Sequence, residues 1–386
     1  MDGSSHQNQA LKQNSVPWLL ASLGLIGLIA SFAANPTDAR SAAAQNWSPF
    51  VLVTGLILIG LVANDDGLFA AAGHQLARLS SSGVVLFAGA TVMIAVVTAV
   101  LNLDTSVAFL TPVLVYTARS RGEGEAPLLY GCLLLSNAGS LFLPGSNLTN
   151  LIVLGHVRLS GASFLAHMWA PALVALIVTA GVVAVLERRS LRVSNKGLTH
   201  ADRPTLGLGL LAVVASAVLV LVLHSPALPV AVVGVVAIGI RLAAGKDQPR
   251  HVVQVLGAPF LVGLFGVAVA LGTLGRVWDG PYTLLAHLNV WGTAAVAAVT
   301  SAIVNNLPAA SLLAARTPDR PFALLIGLNL GPNLFVTGSL AWMLWLRSAR
   351  SAGAQPSVAR ASRIGVLAVP LSMVAAIGVL VATGVK

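Results

Sequence analysis

Uncharged apolar segments recur along almost the whole chain, and they restrict its possible folds more than any other feature. Most are about 15 to 24 residues long, close to the roughly 20 residues that a helix needs to cross a bilayer. Charged residues make up only 9% of the 386 residues, whereas soluble domains carry about 25%. Transmembrane β-strands would be shorter and would alternate in polarity. The sequence therefore predicts an all-α polytopic membrane protein and excludes a soluble enzyme, a disordered chain and a disulfide scaffold.

Two kinds of irregular segment interrupt this pattern, and each kind occurs once in either half of the chain. Paired apolar arms around a short polar tip, over 83–118 and 291–316, are typical of re-entrant helical hairpins. Clusters of Gly, Pro and Asn within 125–157 and 321–346 predict broken helices, because Pro lacks a backbone N–H and Gly is unfavourable in a helix. Their recurrence in the same order predicts two repeats.

The order of these segments divides the chain. We expect an N-terminal tail over 1–16, a first repeat over 17–186, a basic linker over 187–204 and a second repeat over 205–386. Each repeat would have five spans, counting the hairpin as none, and the third span of the first repeat would cover 66–82. Because five is odd, the second repeat would enter from the opposite face, giving the inverted-topology repeat of secondary transporters.

The basic residues indicate an orientation. Most Lys and Arg side chains fall in alternate connections, and the positive-inside rule then places the linker in the cytoplasm and both chain ends outside. The net charge of +10 is explained by these cytoplasmic loops, so no nucleic-acid partner is expected.

Polar side chains at the two tips and the two breaks are the candidate solute-binding groups. Irregular backbone at membrane depth is tolerated where it lines a cavity, so we expect the four segments to meet near the midplane. Amides and hydroxyls both donate and accept hydrogen bonds, which suits a neutral polyhydroxy solute, whereas a dicarboxylate would need Arg or Lys. Taken singly, each could instead cap a helix end. The candidates are Asn102, Thr105, Ser146, Asn147, Thr149, Asn150, Asn305, Asn306, Asn333, Thr337 and Ser339.

Asp104 is the one carboxylate in these segments. An ionised carboxylate at membrane depth is costly, which makes Asp104 a candidate proton-coupling group; the alternative is a cap on the second hairpin arm.

Asp65 and Asp66 are expected to cap the start of the third span. Cys132 is the only cysteine, so neither a disulfide within the chain nor a cysteine-rich metal site is expected.

These irregular segments resemble the arsenite/antimonite efflux permeases (the ArsB type), which belong to a broad ion-transporter superfamily that also holds dicarboxylate and citrate carriers. The similar stretches lie in both halves: Asn102-Leu103-Asp104-Thr105, Gly145 through Asn150, Val304-Asn305-Asn306-Leu307-Pro308, Leu330 through Asn333, and Thr337 through Ala341. The resemblance implies a scaffold domain, a transport domain with two hairpins, elevator-like motion and often a homodimer. Two departures are present: Leu103 separates Asn102 from Asp104, and neither tip reads Ser-Asn-Thr as in sodium-coupled carriers.

We therefore expect an inner (plasma) membrane transporter that exports trivalent arsenic or antimony, as the neutral trihydroxide, in exchange for protons and without a cofactor or metal. The alternatives are a dicarboxylate- or citrate-like anion carrier, a sodium–proton antiporter of the same fold, and the membrane subunit of an ATP-driven pump. In the last case a soluble ATPase would dock on the basic loops 187–204 and 347–363. The sequence has no phosphate-binding G-x-x-x-x-G-K-[ST] loop and no H-E-x-x-H motif, so the chain is not expected to be an enzyme.

Overall fold

The computed structural model describes residues 3–157, 159–191 and 207–384, and the regular structure in these ranges is helical. The first half contains α1 (Gly3–Ala34), α2 (Pro36–Asp65), α3 (Leu68–Leu79), α4 (Gly83–Val100), α5 (Leu103–Ser120), α6 (Ala126–Gly139), α7 (Leu148–Val153) and α8 (Gly161–Leu186). The second half contains α9 (Leu208–Val222), α10 (Ala227–Ala243), α11 (Pro249–Leu256), α12 (Ala258–Val277), α13 (Gly280–His287), α14 (Val290–Val304), α15 (Asn306–Leu313), α16 (Pro321–Leu330), α17 (Leu340–Ser351) and α18 (Val358–Ala382). Short 3-10 turns cover Pro144–Ser146, Leu154–His156 and Gly331–Asn333.

Five helical segments in the described part of the chain are long and apolar enough to cross a membrane. They are α2, α4, α8, α11 with α12, and α18. Several shorter apolar helices, including the described part of α1 and α9, α10 and α14, pack among them. The chain is a multi-pass helical membrane protein, as the sequence predicted.

Two helix pairs form the frame of the molecule: α1 lies against α12, and α2 lies against α10. Glycines allow the close approach, because a Cβ added at Gly24 would meet the carbonyl oxygen of Gly263 at 2.2 Å. In the second pair, a Cβ at Gly234 would lie 2.6 Å from the carbonyl oxygen of Gly55. Small residues that bring helix backbones together are a common means of packing within membranes.

The third span predicted over 66–82 is wrong. The helix α3 that occupies this stretch has 12 residues and therefore a length of about 18 Å at a rise of roughly 1.5 Å per residue, too short to cross the membrane. Its buried residues Phe69, Gly73 and Ala77 lie on one face, and α3 packs against α5. The first half thus contributes one crossing fewer than the five predicted.

Both ends of α3 lie at the same end of the bundle. Before α3, Asp66 pairs with Arg241 near the end of α10; after it, a Cβ on Gly83 would lie 2.5 Å from the carbonyl oxygen of Leu191. We call this the linker end, because Leu191 and Gly207 flank the undescribed part of the linker. The opposite end is the far end.

Asp65 and Asp66 do not cap α3, contrary to the sequence-based expectation. Asp65 is the last residue of α2, and the Asp66 carboxylate accepts a hydrogen bond of 2.7 Å from the backbone N–H of Gly209, in the first turn of α9. Arg241 joins Asp66 to Asp247, whose carboxylate lies 2.5 Å from the Arg241 Nε. The hydrogen bond from Arg241 lowers the pKa of Asp247. This nearly buried network holds α2, α9 and α10 together at the linker end.

The direction of α1 also differs from the expectation. Gly24 meets Gly263 and Gly27 meets Ala270, so α1 and α12 run parallel. Because α12 starts at the linker end, α1 also starts there, whereas the sequence-based topology placed the chain start and the linker on opposite faces. In addition, α1 begins at Gly3, inside the stretch expected to be an N-terminal tail.

Candidate functional site

A cavity of about 560 Å³, which we call the central cavity, brings the four irregular segments together. The first hairpin contributes Leu103 and Asp104, and the second contributes the stretch 304–308. The first break contributes the stretch 147–149, and the second contributes residues from Val336 to Leu340. The convergence expected from the sequence is present in the structure, although the two halves are nearly 200 residues apart in the chain.

The remaining wall of the central cavity is apolar. It is formed by three side chains of α1 and three of α12: Leu19, Leu20, Leu23, Phe260, Leu264 and Val267. The three α12 residues lie in the first turns of that helix. Because α12 starts at the linker end, the central cavity lies toward the linker end. The cavity therefore has a polar side made by the hairpins and breaks and an apolar side made by the frame.

Four helices, α5, α7, α15 and α17, begin at this cavity. The residues that precede them are Asn102, Asn147, Asn305 and Ser339. The three asparagine side chains each accept a backbone N–H of the following turn, at 2.7, 3.1 and 3.3 Å. Helix N-termini carry a partial positive charge, so their convergence favours solute oxygen atoms and negative charge in the cavity.

Among the side chains that the structure describes, Asp104 is the only ionisable one that lines this cavity. It lies in the first turn of α5, where Asn102 is the capping residue, so Asp104 itself is not the cap. Among the residues that the structure describes, none donates a hydrogen bond to its carboxylate or forms an ion pair with it. The carboxylate is free to meet a proton or a solute.

Free polar groups line the central cavity beside Asp104. The buried hydroxyls of Thr149 and Ser339 have no hydrogen-bond partner in the described part of the chain. The side-chain amide of Asn306 also forms no hydrogen bond there, because only its backbone N–H is used, at 2.8 Å from the carbonyl oxygen of Gly338. The hydroxyl of Thr337 donates to Ala302 and keeps accepting capacity. The Asn306 amide and the Thr337 oxygen can bind a solute without first breaking the protein's own bonds, whereas the buried Thr149 and Ser339 oxygens become accessible to a solute only when a neighbouring side chain moves.

The amides of Asn150 and Asn329, behind the cavity, are fully hydrogen-bonded and join the two breaks. The Asn329 amide donates 2.7 Å to the side-chain oxygen of Asn150, and its own oxygen accepts from Ser140 at 2.6 Å and from Asn147 at 2.7 Å. Asn329 lies within the second break that the sequence predicted. Its buried position identifies it as the centre of the network that fixes both breaks.

A second buried pair extends this network, because the Asn137 amide donates to the Asn333 oxygen at 2.8 Å. Asn333 donates in turn to the carbonyl oxygen of Leu134 at 3.0 Å. Ser146 donates to the carbonyl oxygen of Ser140 at 2.5 Å. Asn333 and Ser146 were binding candidates, but the structure places both behind the cavity.

The candidates therefore fall into two groups. The structure places seven of them on the central cavity: Asp104, Asn147, Thr149, Asn305, Asn306, Thr337 and Ser339. It places five outside its lining: Asn102, Thr105, Ser146, Asn150 and Asn333. The sequence pattern identified the right segments, but it could not tell which amides face inward and which bond to the opposite break.

A helical membrane protein whose interrupted helices meet at one side of an internal cavity, with one unpaired carboxylate in its lining, belongs to the class of solute transporters. The sequence model of the citrate transporter family matches residues 13–345. The chain therefore belongs to the citrate transporter family, and it is a transporter rather than an enzyme.

Curated relatives confirm the resemblance to the arsenite/antimonite efflux permeases. An arsenical pump membrane protein of Escherichia coli is 25% identical over 361 residues, covering 84% of each chain. One of Yersinia enterocolitica is 24% identical over 335 residues, covering 78% of each chain. A 46 kDa membrane protein of Mycobacterium leprae is 24% identical over 365 residues, covering 85% of this chain and 84% of the relative.

The fold is similar to that of a solved transporter. The YdaH transporter of Alcanivorax borkumensis, whose crystal structure is described as having an unusual topology, aligns with a TM-score of 0.56. The alignment covers 93% of this chain and 88% of the other at 16% identity, so it shows a shared fold.

Proposed function

We propose that this protein exports trivalent arsenic or antimony, as the neutral trihydroxide, in exchange for protons. The observation that carries the proposal is the central cavity, in which free hydroxyl and amide groups surround one unpaired carboxylate. A trihydroxide has three O–H donors and three oxygen acceptors. It can therefore donate to Asp104 and accept from Asn306, Thr149 or Ser339.

The composition of the cavity argues against a polycarboxylate, although the family carries the name of citrate. Of the described side chains, no Lys, Arg or His lines the central cavity, and an ionised Asp104 would repel a carboxylate. Partial charges at the helix N-termini favour anions, but a triply charged solute of this kind would need a full counter-charge nearby. A neutral solute with several hydroxyl groups meets the lining without such a cation.

Proton exchange follows from the same carboxylate. In its ionised form Asp104 accepts a charge-assisted hydrogen bond from an O–H of the solute; a proton taken up from the far side neutralises the carboxylate, weakens that bond and releases the solute. The cycle then returns with the protonated carboxyl and discharges the proton on the linker side. One group thus serves either the solute or the proton, which is the requirement for an exchanger.

We further propose that the two halves form an inverted repeat in a register different from the one the sequence predicted. The packing of α1 on α12 has a counterpart in the packing of α10 on α2. The short helices α3 and α13 each follow one of these frame helices and precede a hairpin. Helices α1, α2 and α3 then correspond to α10, α12 and α13, and α9 is the odd crossing that inverts the second half.

The location and the partners belong to this proposal. A bacterial-type inner membrane with the linker in the cytoplasm suits the concentration of basic residues at the linker end. The apolar walls of α1 and α12 would be the surface against which the hairpins and breaks move. The proposal includes a homodimer, and the following experiment tests whether a soluble ATPase subunit takes part.

The decisive experiment measures arsenite uptake into everted vesicles with an imposed pH gradient, acid inside. We expect arsenite uptake to follow the pH gradient in the wild type. In Asp104→Asn the rate of uptake should fall at least about tenfold, because the amide cannot take up and release a proton in each cycle. Asp104→Asn keeps the size of the side chain and removes only its titration. Antimonite should compete with arsenite.

Asp319→Asn is the matched control, because Asp319 is an exposed carboxylate in a connection outside the helices. It should transport as the wild type does. Uptake that ignores the pH gradient, or equal uptake by the wild type and Asp104→Asn, would contradict proton exchange. Uptake that appears only with ATP would favour the pump subunit, and uptake of citrate but not arsenite would favour the anion carrier.

A further inference from the structure

A second cavity lies at the far end of the bundle, about 290 Å³ in volume. It is bounded by α2, by the connection between α9 and α10, and by the first break with α7. The polar side chains Gln45, Ser48, His224 and Ser225 line it. The proposed function gives this cavity no role.

The two cavities approach each other at the first break. Gly145 lines the far-end cavity, while Asn147 lines the central cavity two residues later. The partition between them is this break together with α7, which has six residues and a length of about 9 Å. A small displacement of α7 would therefore connect the central cavity with the far end.

Gln45 holds this partition in place with all of its polar side-chain atoms. Its Nε2 donates 2.9 Å bonds to the carbonyl oxygens of Ile152 and Ala314, and its Oε1 accepts a 2.6 Å bond from the Nη2 of Arg276. The guanidinium has only donors and the two carbonyls are only acceptors, so the partners fix which end of the amide donates.

The two carbonyl groups belong to the far ends of the short helices that begin at the central cavity. Ile152 lies near the C-terminus of α7, and Ala314 is the residue that ends α15. Gln45 itself lies on α2, which belongs to the frame, and Arg276 lies on α12. One side chain of the frame thus ties down both short helices at the ends away from the solute.

We propose that the far-end cavity is the route by which solute leaves the central cavity, and that Gln45 is the latch that keeps this route closed. The proposal depends on the proposed function in one respect only, which is that a solute crosses the membrane through this protein. Gln45 forms two hydrogen bonds with neutral carbonyl groups and one with a charged guanidinium. Each contributes a modest net free energy, so together they stabilise the closed state and still allow it to open reversibly. Gln45 is a positioning residue, because it acts through α7 and α15 and touches no solute in the central cavity.

Cysteine labelling in vesicles tests the latch without any solute. In a Cys132→Ser background, which removes the only cysteine, Leu148→Cys reports the central-cavity end of α7 and Met343→Cys reports the central cavity from the linker side. With Gln45 intact, a membrane-impermeant methanethiosulfonate should label Met343→Cys from the linker side and leave Leu148→Cys unlabelled from the far side. Gln45→Leu should raise far-side labelling of Leu148→Cys about tenfold, the change expected when net hydrogen-bond stability of this order is lost.

Gln45→Glu is the second variant, because it keeps the acceptor for Arg276 and loses both donors to the carbonyls; it should have the same effect as Gln45→Leu. Ser41→Ala is the matched control, because Ser41 lies one turn earlier on α2 and its side chain bonds only within that helix. In this variant the far-side labelling of Leu148→Cys should equal that measured with Gln45 and Ser41 intact. If Gln45→Leu fails to reach the membrane, the far-side labelling of Leu148→Cys in the Gln45→Glu variant tests the proposal.

Far-side labelling of Leu148→Cys that stays at the wild-type rate in both Gln45 variants, with Met343→Cys still labelled, would overturn the latch. Absent arsenite uptake together with the expected labelling change would overturn the proposed function and leave the latch intact.

Discussion

Single hydroxyl groups distinguish solute binding from packing in this molecule. Thr149 is fully buried, lines the central cavity and has no hydrogen-bond partner in the described part of the chain. Thr98 in α4 is equally buried and also unpartnered, but it does not line the cavity. A buried hydroxyl without a partner is unfavourable for the fold. Of the two, Thr149 lies beside the central cavity, where a small side-chain movement would let a solute compensate for that cost.

We expect Thr149→Val to weaken solute binding and to leave the fold as stable as before or more stable. Losing one hydrogen bond to the solute should raise the half-saturating arsenite concentration about tenfold, while the isosteric methyl removes the cost of an unsatisfied group. Vesicle uptake and the thermal unfolding temperature in detergent measure the two effects. Thr98→Val should share the effect on stability and leave uptake unchanged; equal half-saturation in wild type and Thr149→Val would remove Thr149 from the site.

The sequence predicted part of this residue-level picture. The types of side chain and the segments that carry them follow from the Gly, Pro and Asn clusters, because only a lined cavity tolerates irregular backbone at membrane depth. Which amides face the cavity depends on partners in the other half. Asn150 bonds to Asn329, and no local pattern shows a contact over 179 positions. Asn150 was therefore assigned to the solute although its amide is already used.

At the scale of elements, the two breaks act as one unit because Asn329 joins them. Asn329→Leu would leave the buried oxygen of Asn150 and the buried amide of Asn147 without a partner, whereas the hydroxyl of Ser140 keeps its 2.8 Å bond to the carbonyl oxygen of Asn137. Each buried group left unsatisfied costs about 1–3 kcal/mol, so we expect a loss of roughly 2 kcal/mol or more in the free energy of unfolding. Solute binding should be lost as well, since Asn147 is at the cavity.

Asn289→Ala is the control for this change. Asn289 is the exposed cap of α14, and its loss should cost only about 1 kcal/mol and leave uptake in place. Thermal unfolding in detergent and arsenite uptake compare the two variants. An Asn329→Leu protein as stable as Asn289→Ala would show that the breaks are held together by other contacts.

Element boundaries show where sequence reasoning stops. The apolar content of 66–82 suggested a span, yet α3 begins at Leu68 and ends at Leu79. The partner that keeps Asp66 at the linker end is Arg241, 175 residues away, so the decisive contact was invisible to a local reading. By contrast, the second hairpin was recognisable: its predicted tip holds Asn305, whose φ of +81° is the only one in the left-handed region at a non-glycine residue of the described chain.

For the whole molecule, the parallel course of α1 and α12 determines on which side of the membrane the chain starts. Both helices begin at the linker end, and α18 begins there as well, where Arg360 pairs with Glu187 at the end of α8. The 25 residues of α18 then lead to the far end. The structure therefore requires the start of the chain and the linker on one side and the end of the chain on the other.

Reporter fusions check this arrangement. A reporter active only in the cytoplasm should be active when fused before α1 or inserted in the linker, and inactive when fused after α18; a reporter active only outside should show the reverse. The reason is parity: α3 does not cross, so the number of crossings between the start of the chain and the linker is even. If the fusion before α1 and the insertion in the linker report opposite sides, α1 cannot run parallel to α12. The correspondence of α1 with α10, on which the inverted repeat rests, would then be lost.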